Sequence, residues 1–232
     1  MIPLRDINPT ERFAVISFIL IILNVIVFIY EVTLGSVAGE GFVNAFALVP
    51  ANLLTHAPRT PQVIPAVATL FTSMFLHGGL LHLAGNMLYL WIFGNNVEDA
   101  MGRIRFVIFY LLCGVTAACA HALANRDSMI PMLGASGAIS GVLGAYLLLY
   151  PRARVVTIVF FGFYIRTVEI SAMVVFGFWF VIQFLNVLIT SSSRGGVAWY
   201  AHVAGFIAGF FLIGLFKRKD VPFWGGRGSE YP

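Results

Sequence analysis

The sequence predicts an all-α membrane protein, built as a bundle of six transmembrane helices. Three observations support this prediction: an apolar composition, six long apolar segments, and an uneven distribution of positive charge along the chain. Of the 232 residues, 59% are hydrophobic and only 10% are charged. A soluble domain carries roughly 25% charged residues, so the composition excludes a soluble enzyme, a disordered tail and a nucleic-acid-binding module.

Six segments approach the roughly 20 apolar residues that a helix needs to cross the hydrocarbon core of a bilayer. These segments are Phe13–Leu34, Gly79–Gly94, Ile104–Ala124, Leu133–Tyr150, Ile170–Ile189 and Ala198–Phe216. The second segment is short, and Asn95–Gly102 can continue it as a polar turn that leaves the membrane. Val155–Ile165 is too short to cross, so we predict that it lies at the interface. Counts of five or seven spans also fit the sequence.

The spans indicate one membrane domain with short flanking segments. We predict a cytoplasmic N-terminus at residues 1–12 and a six-span domain at residues 13–216. Within that domain, residues 35–78 form a long loop whose prolines and polar residues suit the membrane interface. The glycine-rich residues 217–232 are predicted to form a flexible cytoplasmic tail.

Positive charge orients the predicted spans, because cytoplasmic loops carry an excess of Lys and Arg. With six spans, eleven basic residues fall on the side of both termini: Arg5, Arg12, Arg103, Arg105, Arg152, Arg154, Arg166, Lys217, Arg218, Lys219 and Arg227. Three fall on the other side: Arg59, Arg126 and Arg194. The asymmetry predicts that both termini are cytoplasmic.

Strongly polar side chains are costly in hydrocarbon and indicate a functional site by default. The second span begins with His82 and Asn86, four residues apart and therefore on one helix face. The fourth span begins with Gly134–Gly137, and the sixth begins with Trp199–His202. All three spans start at the outer surface, so we expect these groups to lie at one depth and to form one site.

Small residues indicate which of these helices touch. Gly137, Gly141 and Gly144 repeat along the fourth span, and Ala201, Gly205, Ala208 and Gly209 repeat along the sixth. Such stripes let helices approach closely in lipid, which would bring Ser136 near His202. Serine needs an adjacent base to act as a nucleophile, and neutral histidine suits that task. No carboxylate lies in a span near His202, so the residues predict a Ser–His dyad without a third acidic member.

These motifs resemble those of the rhomboid family of intramembrane serine proteases. The resemblance rests on Gly134-Ala135-Ser136-Gly137, on His82-x-x-x-Asn86 and on Ala201-His202-Val203-Ala204-Gly205 with Gly209; Gly94-x-x-x-Glu98-x-x-x-Gly102 is similar to the family's turn. It implies a rhomboid-type bundle that hydrolyses peptide bonds of single-span membrane proteins in the bilayer and needs no cofactor or metal. It further implies that Ser136 is the nucleophile and His202 the base, that Asn86 and His82 hold the oxyanion, and that Gly134 shapes the turn.

The resemblance also implies that the fifth span controls substrate access, where Phe176, Phe178, Trp179 and Phe180 form an aromatic run that equally suits lipid-facing packing. Two features depart from the family pattern. The first loop has no tryptophan, whereas some members carry a Trp-Arg pair there. Ser140 also stands where some members place a tyrosine that stacks on the catalytic histidine. The departures leave open what anchors the loop and what orients His202.

Two other functions are alternatives to proteolysis. One is a proteolytically inactive rhomboid-like protein that binds membrane clients, although such relatives usually lack the nucleophile or the base. The other is a transporter or a zinc hydrolase, for which the available ligands are His77, His82, His121 and His202; zinc hydrolase sites usually add carboxylates or cysteines. The sequence favours a prokaryotic plasma membrane and leaves the physiological substrate and the oligomeric state open.

Overall fold

A computed structural model of the chain describes residues 1–55, 63–162, 164–189 and 198–225. Its helices are α1 (Val15–Thr33), α2 (Gly35–Phe46), α3 (Pro50–Leu54), α4 (Thr69–Thr72), α5 (Leu80–Met101), α6 (Arg103–Ala124), α7 (Ser136–Leu149), α8 (Ala172–Ile189) and α9 (Trp199–Phe216). Its strands are β1 (Ile2–Ile7), β2 (Arg154–Phe161) and β3 (Tyr164–Ser171). Short 3₁₀ turns at Ala66–Ala68 and Ser73–Phe75 flank α4.

The apolar helices make this chain a multi-pass membrane protein. In the described part of the chain, α1, α6, α8 and α9 are long and apolar enough to cross a bilayer. A fifth span results if Ala66–Phe75 and α5, which meet at an angle of 81°, count as one bent segment. The 14-residue α7 is apolar but shorter than the predicted span of residues 133–150. The predicted count of six therefore depends on counting α5 and the short α7 as spans.

The second predicted span is longer than the sequence suggests, because α5 continues through residues 95–101 instead of turning there. Three polar residues of this stretch, Asn96, Glu98 and Asp99, are buried and hydrogen-bonded. Glu98 accepts hydrogen bonds from the backbone N–H groups of Ile16 and Ser17, at 3.0 and 2.8 Å. It thereby caps the start of α1, where no side chain of α1 itself provides a cap. Gly102, with φ of +83°, then ends α5.

The small-residue stripes pack α7 against α9, as the sequence predicts. A β-carbon at Gly205 would overlap the carbonyl group of Gly137, and one at Gly209 would overlap that of Gly141. The two backbones are therefore in direct contact. Helix α6 packs against both α7 and α9, so these three helices form the centre of the bundle.

A three-stranded antiparallel sheet, in the order β1-β2-β3, corrects the prediction of an all-α fold. Residues 154–161 are rich in β-branched and aromatic side chains, which favour strands. The predicted interfacial segment Val155–Ile165 is thus a β-hairpin. The predicted N-terminal segment 1–12 supplies the third strand, pairing Ile2 with Ile158 and Ile7 with Arg154.

Strand β1 also connects this sheet to the helices through Asp6. Its Oδ2 atom accepts hydrogen bonds from the Tyr146 hydroxyl of α7 and from Asn96 Nδ2 of α5, each at 2.7 Å. Burial raises the pKa of Asp6 to about 6, although these hydrogen bonds oppose the shift. The N-terminal strand therefore fixes the end of α7 that lies farther from Ser136.

The predicted long loop at residues 35–78 contains α2, α3 and α4 and is thus mostly helical where it is described. Residues 56–62 of the loop and residues 226–232 of the predicted tail lie outside the described residues. The described part of the tail folds on itself, since Lys217 Nζ donates to the Val221 carbonyl at 2.6 Å, and it also contacts the bundle. The Arg218 N–H donates to the Ala100 carbonyl at the end of α5, at 2.8 Å.

Candidate active site

Ser136 and His202 meet where α7 and α9 begin. Ser136 is the first residue of α7, and His202 lies one turn into α9. The Ser136 Oγ and His202 Nε2 atoms are 2.8 Å apart, which is hydrogen-bond distance. The direct backbone contact between the two helices accounts for this approach. Both side chains are half-buried.

The other ring nitrogen of His202 faces α8. His202 Nδ1 lies 2.7 Å from Oε1 of Gln183, a buried side chain. One turn earlier on α8, the Trp179 ring packs on the imidazole, with centroids 5.9 Å apart and an interplanar angle of 34°. Trp199 meets the imidazole edge-on, with centroids 6.1 Å apart. Two aromatic rings and one amide therefore surround the imidazole.

The glycine before the serine helix lies next to His82 and Asn86. Gly134 has φ of +117°, a conformation that favours glycine, and its N–H donates to the Ser73 carbonyl at 2.8 Å. A β-carbon built on Gly134 would lie 2.8 Å from the His82 ring and 3.7 Å from Asn86 Nδ2. The structure thus brings Gly134, His82 and Asn86 together beside the start of α7.

Asn86 offers a hydrogen-bond donor at this place. Its side chain is buried, and its Nδ2 atom has no hydrogen-bond partner among the described residues. A buried unpaired donor is rare in folded proteins. His82, by contrast, is exposed. The backbone N–H of Ser136, in the first turn of α7, has no partner within its own helix.

A cavity of about 700 Å³ joins these groups. Ser136, His202, His82 and Asn86 all line it, together with Trp179. A cavity of this volume is large enough for a small ligand or a short peptide segment. The arrangement therefore places a serine hydroxyl, an imidazole and hydrogen-bond donors in one space.

The remaining histidines do not complete a metal site in the described part of the chain. No three His, Cys, Asp or Glu side chains are grouped there closely enough to hold an ion. His77 is fully buried and packs edge-on against His82, with ring centroids 5.1 Å apart. His121 lines the cavity as well.

The aromatic run of the fifth span does not act as one unit. Phe176 is fully buried against Phe93 and Tyr146, whereas Phe178 is 53% exposed. Trp179 contacts His202, and Phe180 packs on Phe206 of α9. The run therefore serves core packing, the surface and the site at different positions.

The structure shows which contacts are present at the two positions where the chain departs from the family pattern, Ser140 and the first loop. The Ser140 hydroxyl donates to the Ser136 carbonyl at 2.6 Å, within α7. Trp179 supplies the aromatic ring that packs on His202. In the first loop, the Thr72 hydroxyl donates to the Phe46 carbonyl at 2.6 Å, and an isolated β-bridge joins Leu48 to Met132. These contacts anchor the loop without a tryptophan.

Comparison with known proteins identifies the family. The Rhomboid domain family model matches residues 65–219, which include α4 to α9 and every residue of the candidate site. The chain belongs to the rhomboid family. The Rhomboid protease GluP of Bacillus subtilis (strain 168) is 34% identical over 146 residues, which are 61% of this chain and 24% of that protein.

Other relatives of this rhomboid come from eukaryotes. The RHOMBOID-like protein 6, mitochondrial, of Arabidopsis thaliana is 31% identical over 146 residues, 62% of this chain and 41% of that protein. The Rhomboid protein 1, mitochondrial, of Saccharomyces cerevisiae is 36% identical over 92 residues, 38% of this chain and 27% of that protein. The chain thus spans less than half the length of these curated relatives.

Gln183 is the site residue of this rhomboid that the sequence analysis missed. A usable signal was present, because an amide in an apolar span indicates a functional site by default. The sequence of α8 is apolar on every side, however, so it does not indicate which face meets α9.

Proposed function

We propose that this rhomboid is an intramembrane serine endopeptidase that hydrolyses peptide bonds of transmembrane substrates. The observation that carries the proposal is the 2.8 Å contact between Ser136 Oγ and His202 Nε2 inside the cavity. Membership of the rhomboid family supports it, as does the similarity to a relative named a rhomboid protease.

The proposed reaction begins with attack by Ser136. His202 Nε2 accepts the hydroxyl proton as Oγ forms a bond to the substrate carbonyl carbon. The tetrahedral intermediate then collapses: the C–N bond breaks, and His202 gives the proton to the leaving amine. A water molecule next attacks the acyl-enzyme with His202 as base, and this step releases the new carboxyl terminus and restores Ser136.

The negative charge on the carbonyl oxygen of the intermediate requires preorganised donors. We assign this role to the backbone N–H of Ser136, to Asn86 and to His82. The buried, unpaired Nδ2 of Asn86 supports the assignment, because a substrate oxygen would provide the partner that the described residues do not. Gly134 keeps the approach to these donors open, since any larger residue would fill the space beside the His82 ring.

We further propose that the chain crosses the plasma membrane six times with both termini in the cytoplasm. On this assignment residues 1–12 and 217–232 are cytoplasmic, and residues 13–216 form the protease domain. A contact between the two ends of the chain supports placing both termini on one side of the membrane. Arg218 lies 3.8 Å from Glu11, and its backbone N–H donates to the Ala100 carbonyl. Ser136 and His202 lie at the other end of the bundle, where α7 and α9 begin. On this assignment that end is near the outer face, where water can reach the cavity.

Single-span membrane proteins are the proposed substrates. Their peptide bonds can approach Ser136 only as extended backbone, because a helix keeps its carbonyl groups hydrogen-bonded internally. Substrate segments that unwind easily near the outer face would therefore be cleaved fastest. No metal or cofactor takes part in the proposed reaction.

Purified protein incubated with a panel of single-span membrane proteins tests the proposal. The wild-type protein should cleave at least one substrate, and a fluorophosphonate should label Ser136. Ser136→Ala should abolish both cleavage and labelling, whereas Ser171→Ala, which removes a distant hydroxyl on β3, should keep both. A folded wild-type protein that binds these substrates without cleaving any would favour the client-binding alternative.

A further inference from the structure

Gln183 makes a polar contact that the Ser–His pair alone does not explain. It lies in α8, an apolar helix whose other amide, Asn186, is half-buried and donates to the carbonyl of Ile182 in its own helix. Gln183 is instead 6% exposed and points toward α9, where Oε1 lies 2.7 Å from His202 Nδ1. An amide is costly to bury in an apolar setting unless it is hydrogen-bonded, so this contact accounts for its place in the bundle.

The contact determines which nitrogen of His202 carries the proton. The Oε1 atom of glutamine has no hydrogen and can only accept a hydrogen bond. With Oε1 toward the imidazole, the contact favours the tautomer in which Nδ1 carries the hydrogen and donates the hydrogen bond. In neutral histidine the other nitrogen, Nε2, then has a free lone pair. That lone pair faces Ser136 Oγ and is the one that a general base needs.

The packing around His202 supports this orientation. Trp179 precedes Gln183 by four residues, so both project from the same face of α8. Trp179 packs on the imidazole while Gln183 holds its Nδ1 edge. One helix thus restrains the ring in two directions, and Ser136 of α7 meets its third side.

We propose that Gln183 is a positioning residue, which holds His202 in the Nδ1–H tautomer and orients Nε2 toward Ser136. This inference rests on the proposed function. The amide occupies the position that a carboxylate fills in a Ser–His–Asp triad. It provides the acceptor without a negative charge, which is expensive to place among membrane-spanning helices. The pair Ser136–His202 therefore acts with a neutral third member supplied by α8.

Two substitutions separate the hydrogen bond from the packing. Gln183→Met keeps the length of the side chain but lacks the amide oxygen, so kcat should fall about tenfold with little change in KM. Gln183→Glu keeps an acceptor and adds a charge that favours protonated His202. The acidic limb of its pH–rate profile should move to higher pH by about one unit. The control is Leu185→Ala, which changes an exposed residue of the same helix and should leave kcat and the profile unchanged.

A measurement without substrate tests the tautomer directly. In wild-type protein with ¹⁵N-labelled histidine, the His202 resonances, assigned by their loss in His202→Gln, should show a protonated Nδ1 and an unprotonated Nε2. In Gln183→Met they should show a mixture of the two tautomers. A protonated Nε2 in the wild type, or a folded Gln183→Met with wild-type kcat and an unchanged tautomer, would overturn the proposal.

The outcomes also separate this inference from the proposed function. If the wild type cleaves nothing, or Ser136→Ala still cleaves, the protease assignment fails, while the nitrogen resonances still report on Gln183. If the wild type cleaves through Ser136 and Gln183→Met behaves like Leu185→Ala, only the role of Gln183 fails. Thermal unfolding of each variant in detergent shows whether a loss of activity reflects a loss of fold.

Discussion

Gly209 of α9 packs against the backbone of Gly141 of α7 so closely that a β-carbon at Gly209 would overlap the Gly141 carbonyl group. This contact lies between one and two turns further along the same two helices than the Ser136–His202 pair. The distance between the serine and histidine side chains therefore depends on glycine at a position that takes no part in the chemistry. Helix packing and the geometry of the Ser136–His202 pair are coupled through this interface.

Gly209→Ala should separate α7 from α9 and lower both activity and stability. Overpacking of this kind costs about 1–3 kcal/mol, and the separation would lengthen the Ser136–His202 hydrogen bond. Thermal unfolding in detergent and cleavage of a single-span substrate measure the two effects. Gly214→Ala is the matched control, because a β-carbon there meets only the Phe223 ring at 3.8 Å. Equal unfolding midpoints and equal cleavage rates in the two variants would contradict a direct backbone contact between α7 and α9.

Gly134→Ala should reduce cleavage and also lower stability. The residue has φ of +117°, and its β-carbon would lie 2.8 Å from the His82 ring. The strain would cost about 1–3 kcal/mol and would displace His82 from the proposed oxyanion site. Steady-state kinetics should show a lower kcat. Gly41→Ala, where a β-carbon meets nothing within 4 Å, should leave kcat unchanged; a wild-type kcat in Gly134→Ala would argue against a role for this turn.

Asp6 should make the stability of the protein depend on pH. Its pKa rises from an ordinary value of 3.8 to about 6 on folding, because the side chain is buried. Between about pH 4 and pH 6 the folded state thus binds more protons than the unfolded state. The stability that Asp6 contributes is fully present below pH 4 and is lost as the pH rises through 6.

Asp6→Asn should remove this part of the pH dependence, since an amide does not ionise and its oxygen can still accept from Tyr146 and Asn96. The measurement is the midpoint of thermal unfolding from pH 4 to pH 7, compared with wild type and with Asp127→Asn, which changes an exposed acid. As the pH rises from 4 to 7, the wild type and the control should both lose stability relative to Asp6→Asn, by about 2 kcal/mol or less. Parallel curves for all three proteins would contradict the assignment.

The sequence predicts the parts of this rhomboid that depend on local pattern. The stripes Gly137–Gly144 and Ala201–Gly209 indicate the contact between two helices, and that contact brings Ser136 to His202 across a sequence separation of 66 residues. The start of each helix in the site is also marked by its polar residues. Hydrophobicity and small-residue spacing determine these features, and both can be read from the chain itself.

Features that depend on distant pairing could not be predicted in the same way. Strand β1 pairs with β2 roughly 150 residues later, and its short apolar pattern does not indicate this partner. The polar sequence of the Asn95–Gly102 stretch predicts a turn. The stretch is helical up to Met101, and Glu98 caps the start of α1. The sequence does not place Gln183 in the site, because the rotation of an almost wholly apolar helix depends on its neighbours. In each case, tertiary contacts determine the outcome.

Cleavage of a single-span membrane protein by purified wild-type protein, compared with Ser136→Ala, is the most direct test of the proposed proteolysis. On this proposal, Ser136 and His202 hydrolyse peptide bonds within the cavity at the start of α7 and α9. It predicts a defined cleavage product from the wild type and none from a Ser136→Ala variant with the same unfolding midpoint. The same product from Ser136→Ala, formed at the wild-type rate, would contradict it.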